Sequence, residues 1–559
     1  MQENATRREY RGRENVAKLS TAYAAERAKG ATQRAAAAST GVPRSSHRYW
    51  AERSARIEAS EAERAFFESA PGVAFLHRLV MALHLIIVFN VGGGIRQVIA
   101  VLELVQLTAF VATSVGCQHG ISQEVEAQIV AFGKEERARL GNLMAPKDIA
   151  VCQDETFHPE TCLVAIEPVS NFLLAEKYVE HRDATTWSAT MKEALEGLPV
   201  TVRQSTSDEG KGLLSHARQS KAHHASDLFH IQYETSRAMS LDLSRRVDAA
   251  NEAVNAADKQ ISKVNEQLTE WEATPQGPGR PPNFERRAID AEAALVTANL
   301  ELDEACTWQK DARTARRGLA GDYHPVDLAT GEPRTAEQVA SKLQEHFDAL
   351  KTIAVEAGLP DRSMAGVKKA ERQLPTLKAS LAFFHEQVDR RVANLELPPQ
   401  QAEALKNQLI PAAYLERAAN RAKLAIDKEA LRRTAHDRRQ AGLAALVAAD
   451  LGDVERETLF NVAGECANLF QRTSSCVEGR NGQLSLRHHH VHTISPLRLE
   501  TLTVIHNYFV QRPDGTTAAE RFFGHPPADL LEHLLKNVDP PPRPAERRSS
   551  SPLRSSTLH

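Results

Sequence analysis

The sequence predicts an α/β core, a mixed five-stranded sheet with helices, interrupted by a large all-α, coiled-coil insertion and preceded by a helix-turn-helix. Three observations predict it. Strand-like segments cluster between Pro146 and Ile231 and alternate there with helical ones. Strand signals then nearly vanish for over two hundred residues, where apolar positions recur at heptad spacing. Near the front, an alanine-rich stretch breaks at Gly41-Val42-Pro43 and resumes as a second helical stretch. At 559 residues the chain exceeds one compact core, and its length suggests about three or four domains or one domain with large insertions.

Charge and cysteine usage narrow the class. Lys and Arg number 69 against 72 Asp and Glu, so any nucleic-acid contact must come from a local patch and not from a global field. Residues 1–60 are such a patch, with 12 basic against 6 acidic side chains. Six scattered cysteines without CxxC spacing, and an N-terminus without the apolar core of a signal peptide, predict a reducing cytoplasm. The run "LVMALHLIIVF", Leu79 to Phe89, is about half a membrane span, contains His84 and stops at Gly92-Gly93-Gly94. It predicts two buried helices joined by a glycine turn, with no membrane contact.

In "TQRAAAASTGVPRSSHRYWAER" the small residue Ala37 suits a close helix crossing, with Val42 and Trp50 as apolar anchors. His47 stands where such motifs usually bury an aliphatic residue. Ser45, Ser46 and Arg48 would face a DNA groove, with Arg44 and Arg53 nearer the phosphates. From Pro146, "DIAVCQDETF", "TCLVAIEPVS" and "NFLLAEKYVE" read as a three-strand meander. A helix at 185–197, a strand in "LPVTVRQSTSD", a helix in "EGKGLLSHARQS" and a last strand in "SDLFHI" follow. Val247, Ala250, Val254, Ala257, Ile261, Val264, Leu268 and Trp271 hold a and d heptad positions, and Ala291, Leu295, Ala298, Leu302 and Ala305 resume the seam after "EATPQGPGRPPN". That Pro/Gly loop turns the chain back on itself, which favours an intramolecular hairpin over an intermolecular coil. The tail from Pro540 lacks the apolar residues for a core and predicts disorder.

Three acids carry the candidate chemistry. Asp154 ends the first strand and Asp208 follows the fourth, 54 residues later. If those strands are neighbours, both carboxylates emerge at one sheet edge, where hard oxygen ligands suit Mg²⁺ or Mn²⁺. Glu478, 270 residues beyond Asp208 in "SSCVEGRNGQLSLRHHHVH", is the candidate third acid. Ser475 with Glu478 is also a capping-box pattern, which accounts for the carboxylate without a metal. Glu155 adjoins Asp154 but points to the opposite face, Glu209 suits a helix N-terminus, and Asp227 is the alternative to Asp208. Arg480 and Asn481 lie within one turn of Glu478, with Arg487 further on, positioned to hold phosphates beside the metals or to form a solvated basic face. His488 and His492 have the i, i+4 spacing of a zinc pair, but no cysteine or carboxylate lies at a matching spacing, so DNA contact or helix packing is preferred.

These segments resemble the RNase H-like DDE transposases of bacterial insertion sequences. The resemblance rests on "CQDETFHPETCLVAIEPVSNFLLAEKYVEHRDATTW", on "STSDEGKGLLSHA" with "SDLFHIQYE", and on "SSCVEGRNGQLSLRHH" followed by "PDGTTAAERFF". It covers residues 148–235 and 456–525, roughly a third of the chain. It implies that Asp154, Asp208 and Glu478 form a catalytic triad holding two Mg²⁺ or Mn²⁺ ions. It further implies water-driven cleavage at an element end and attack of the freed 3′-hydroxyl on target DNA. The implied partners are double-stranded DNA and further copies of the chain, at the bacterial nucleoid in the cytoplasm. The implied plan is a helix-turn-helix region at 1–60, a helical linker at 61–145 and the first part of the core at 146–235. The insertion at 236–455, the final helical part at 456–535 and a disordered tail at 536–559 complete it. A structure-selective nuclease on the same core, and a non-catalytic DNA-binding coiled-coil protein, are the alternatives.

Overall fold

Five strands, β1 (Lys147–Phe157), β2 (Thr161–Glu167), β3 (Phe172–Val179), β4 (Val200–Ser207) and β5 (His223–Ser226), form one sheet in the order β3-β2-β1-β4-β5. The structure is a computed structural model that describes residues 12–545, apart from 158–159, 275–276, 278, 449–450 and 492. Short connections make β1, β2 and β3 an antiparallel meander, whereas β4 pairs parallel with β1, and β5 with β4. Parallel pairing requires a crossover. The helices Ala184–Leu195 and Lys211–Gln219 supply it before β4 and β5.

Strand alternation divides the sheet between two cores. Val151, Leu163 and Ala165 face one that also holds Trp187, Leu76 and Phe522. Cys152, Val164 and Ile166 face the other, which is closed by Val477 and Leu484 of the Ser475–Val491 helix. That second face fixes where Glu478 can go.

The last strand departs from expectation. It is "HHAS", and the "SDLFHI" segment instead opens the long helix Leu228–Ala273. Asp227 caps that helix, accepting from Phe229 N at 2.8 Å. Leu228, Ile231, Thr235 and Met239 are buried at helical spacing. A good N-cap and a sustained helical period outweigh a short apolar run.

Residues 61–145 are no separate linker: Val80 and Leu85 share the first core with Val125, Ile129 and the sheet. The apolar run is also longer than expected. The helix Ala70–Leu83 continues as a π-helix, His84–Val91, giving 22 residues that could cross a membrane by length and composition alone. Leu76, Met81 and Phe89 of this stretch pack inside the protein, and buried His84 meets Gln118 Oε1 at 2.9 Å. Gly92, at φ 88°, ends it before the helix Ile95–Leu104.

The insertion begins with a two-helix arm. Leu228–Ala273 packs along Phe284–Asp322. Gln232 Nε2 reaches Arg316 O at 3.2 Å at one end, and the Trp271 and Phe284 rings meet at the other, so the pair is antiparallel. Val264, Ala291, Ala298, Ala305 and Ala312 are buried along the seam. The base of the arm joins a third core around Leu343, Phe347, Leu377 and Phe470.

At the front, helices Gln33–Thr40 and Arg44–Ala55 flank a turn at Gly41, φ 67°. His47 takes an aliphatic position because its ring stacks on Tyr23 at 4.1 Å and its Nε2 meets Thr40 Oγ1 at 2.9 Å. The tail is ordered further than its composition predicts: Ala112 N donates to Pro542 O at 2.8 Å, and Arg543 pairs with Glu68. Residues 546–559 lie outside the described residues.

Candidate functional site

The parallel register pairs Cys152 with Thr206. Asp154 and Asp208 each lie two residues beyond this pair, so they sit at the same level on adjacent strands. Glu478 comes from the first turn of the Ser475–Val491 helix, which packs across β1 and β2. The helix places Val477 and Leu484 inward, seven residues apart, as fully buried side chains.

The three acids interact electrostatically. Burial pushes the Asp154 carboxyl up to about 7; a backbone hydrogen bond from Glu155 opposes this, while the charges of Glu478 and Asp208 reinforce it. Asn481 Nδ2 donates to Asp154 Oδ2 at 2.9 Å. Asp208 Oδ1 accepts from Gly210 N at 2.9 Å, a turn that leaves the carboxylate half-buried at the strand end. Glu478 Oε1 lies 3.8 Å from His230 Nε2.

The capping-box reading of Glu478 is not realised. The helix starts at Ser475, so the preceding Ser474 holds the cap position, and its carbonyl accepts from Glu478 N at 3.3 Å. Glu478 thus falls one residue past the place a capping box requires.

The competing acids are occupied elsewhere. Glu155 points to the other face, held by Trp187 Nε1 and Arg182 Nη1, both at 3.2 Å. Glu209 accepts from Ser226 Oγ at 3.1 Å. Asp227 does not replace Asp208: one oxygen caps the helix after β5, and the other accepts from Ser474 Oγ at 2.5 Å. Asp227 therefore ties the start of the Glu478 helix to the sheet edge.

Two of the arginines expected beside phosphates are not there. Arg480 is buried and grips Glu176 of β3 with Nε and Nη2, both at 2.7 Å, while Thr503 Oγ1 donates to the same carboxylate at 2.7 Å. A charge buried against the sheet must find a counter-charge, and Glu176 supplies it. Arg487 Nη2 donates to Asn90 O, at the end of the π-helix. Only Asn481 of the three reaches the acidic edge. Of the N-terminal residues, Arg44, Ser45 and Arg48 are exposed, with Ser46 and Arg53 half-buried. His492 lies outside the described residues, so a His488–His492 pair is not seen.

His230 was missed. It sits on the first turn after Asp227, with Nε2 3.8 Å from both Asp227 Oδ2 and Glu478 Oε1. The misread strand hid it; a helix starting at Asp227 would have put it one turn inside, beside the sheet edge.

Asp154, Asp208 and Glu478 offer the hard oxygen donors a divalent cation takes, and the charges of Glu478 and Asp208 add to the burial that raises Asp154. As they stand, no three His, Cys, Asp or Glu side chains among the described residues are grouped closely enough to hold a metal ion. The donor types suit such a cation, while their spacing is wider than a bound ion requires. A family described as a family of unknown function (DUF6399) matches residues 405–550, a span that contains Glu478. No curated protein and no solved structure matches the chain.

Proposed function

We propose that the protein is a DNA transposase of the DDE type on an RNase H-like core, with Asp154, Asp208 and Glu478 as its metal-binding acids. The observation that carries this reading is that Asp154 in β1 and Asp208 just after β4 stand level on adjacent parallel strands, where the charges of Asp208 and Glu478 act on Asp154. Ligand sites in open α/β sheets favour such carboxyl ends.

Asp154, Asp208 and Glu478 would hold Mg²⁺ or Mn²⁺. When bound, such ions supply an activated water and offset charge on the phosphodiester. Asn481 keeps Asp154 Oδ2 oriented toward the Glu478 helix. Asp227 and Ser474 hold that helix at the edge, and His230 lies where it can carry a proton next to Glu478. The exposed Arg44, Ser45 and Arg48 on the second helix of the N-terminal pair suit end recognition as a helix-turn-helix.

The test is cleavage and joining of DNA carrying the element's own ends, with Mg²⁺. Asp154→Asn, Asp208→Asn and Glu478→Gln should each abolish both steps and leave end binding intact. Normal cleavage by any of the three variants refutes the triad. A wild-type chain that cuts but never joins a pre-cut 3′-hydroxyl end is a nuclease instead.

A further inference from the structure

A cavity of about 420 Å³ lies away from the acidic edge, where the helices Ile410–Arg421 and Ala425–Ala448 meet residues 470–472. Arg417, Arg421 and Arg472 line it, with Tyr414, His324 and a single carboxylate, Asp427. Among the described residues, none of the three arginines forms an ion pair within 4.0 Å.

Two of the guanidinium groups, those of Arg417 and Arg472, are held in place by neutral partners. Arg417 Nη1 donates to Ala467 O at 2.6 Å and Phe470 O at 2.9 Å. Its Nη2 is closed off from solvent and has no partner. Arg472 Nη1 donates to Ala320 O at 2.8 Å and meets His324 Nε2 at 2.6 Å. Arginine only donates, so His324 Nε2 accepts, and its Nδ1–H donates to Tyr414 Oη at 2.8 Å. The histidine is thereby neutral, in keeping with burial pushing its pKa down. Burial first, then the charge of Arg421 and more weakly that of Arg472, push Arg417 down to about 9, against the opposing pull of Tyr414 and Glu167.

Positive charge gathered here with no ion-pair partner within 4.0 Å among the described residues is costly unless an anion completes it. Fixed, planar guanidinium forks match phosphate oxygens. We propose that this cavity binds a phosphate group, carried by a free nucleotide or by a DNA strand. The cavity adjoins the chain leading to Glu478: Leu228 N donates to Arg472 O at 3.0 Å, and Ser474 binds Asp227. The proposal does not depend on the acids being catalytic.

The test uses the full-length chain with inorganic pyrophosphate, dAMP and a short labelled single-stranded oligonucleotide, followed by calorimetry, thermal shift and fluorescence anisotropy. Arg421→Glu, at the exposed rim, and Arg417→Lys, which keeps the charge but loses the fork, should each weaken binding by about ten-fold or more. Circular dichroism checks that both variants are folded. Binding of pyrophosphate or dAMP that both variants lose supports a free-nucleotide site. Failure of the small anions, with oligonucleotide affinity lost in both variants, supports a strand phosphate. If neither small anion nor oligonucleotide affinity responds to either substitution, the proposal is overturned. These affinities are measured in EDTA, which silences any metal-dependent contribution of the acidic edge, so a failure here is separable from a failure of that site.

Discussion

Asp154→Asn should stabilise the metal-free protein, by an amount that grows with pH. A carboxyl whose folded-state pKa is raised binds its proton more tightly in the native chain than in the unfolded one. Its contribution is therefore favourable at low pH and is lost as pH rises from 3.8 to about 7. At about 1.4 kcal/mol for each pH unit in that window, the charged form costs the native state about 4 kcal/mol at about pH 8. At about pH 4 the cost falls to about half a kcal/mol. Asparagine removes the charge, keeps the shape and retains an oxygen to accept from Asn481. The assay is urea denaturation of both chains in EDTA across this pH range, followed by a repeat with Mg²⁺ at the alkaline end. The variant should gain stability over wild type as pH rises, and Mg²⁺ should stabilise wild type alone, because a bound cation adds stability only where its site exists. A pH-independent difference, or a destabilised variant at alkaline pH, would refute the burial and neighbouring charge that raise Asp154.

Other expectations follow from the same contacts. Arg480→Met should destabilise the protein by about 3 to 5 kcal/mol, since it strands Glu176 inside the fold; a loss of DNA affinity with unchanged stability would instead return Arg480 to the surface. Asp227→Ala should lower activity through the placement of Glu478, and Asp227→Asn, whose one oxygen can still accept from Phe229 N while its NH2 donates to Ser474 Oγ, should rescue part of it; hydrogen exchange at residues 474–478 reads this placement directly. Burial, then the charge of Arg480, pushes His506 down to about 4. Its neutral Nε2–H donates to Asn171 O at 2.8 Å. A depressed histidine contributes stability above its ordinary 6.5 that is lost as pH falls toward about 4. His506→Gln should flatten that acid limb in denaturation curves, and an unchanged limb would remove His506 from the cause.

Signals with a short repeat were legible in the sequence. The first four strands announce themselves by apolar runs and flanking breakers, and the arm by heptad spacing around a Pro/Gly loop. The level placement of Asp154 and Asp208 followed from a helical crossover that makes β1 and β4 parallel neighbours, although β1 runs on past Asp154 to Phe157 instead of ending there. The "SDLFHI" error has a local cause: six apolar-rich residues satisfy a strand and a capped helix equally, and only the buried spacing of Ile231, Thr235 and Met239 decides. His230 was lost with it.

Arg480 fails for a different reason. Nothing near it in the chain distinguishes a phosphate contact from a buried ion pair, because its partner Glu176 lies 304 residues away. The same holds for Arg487 with Asn90, and for the three arginines of the cavity, which have no ion-pair partner within 4.0 Å among the described residues. By itself the sequence determined the strand and helix segments, the arm and the order of the acids, all properties of local period and spacing. Tertiary structure alone decided which acids meet, which arginines are neutralised and which remain bare. Those outcomes depend on one buried charge finding another, and burial is a property of the packed chain.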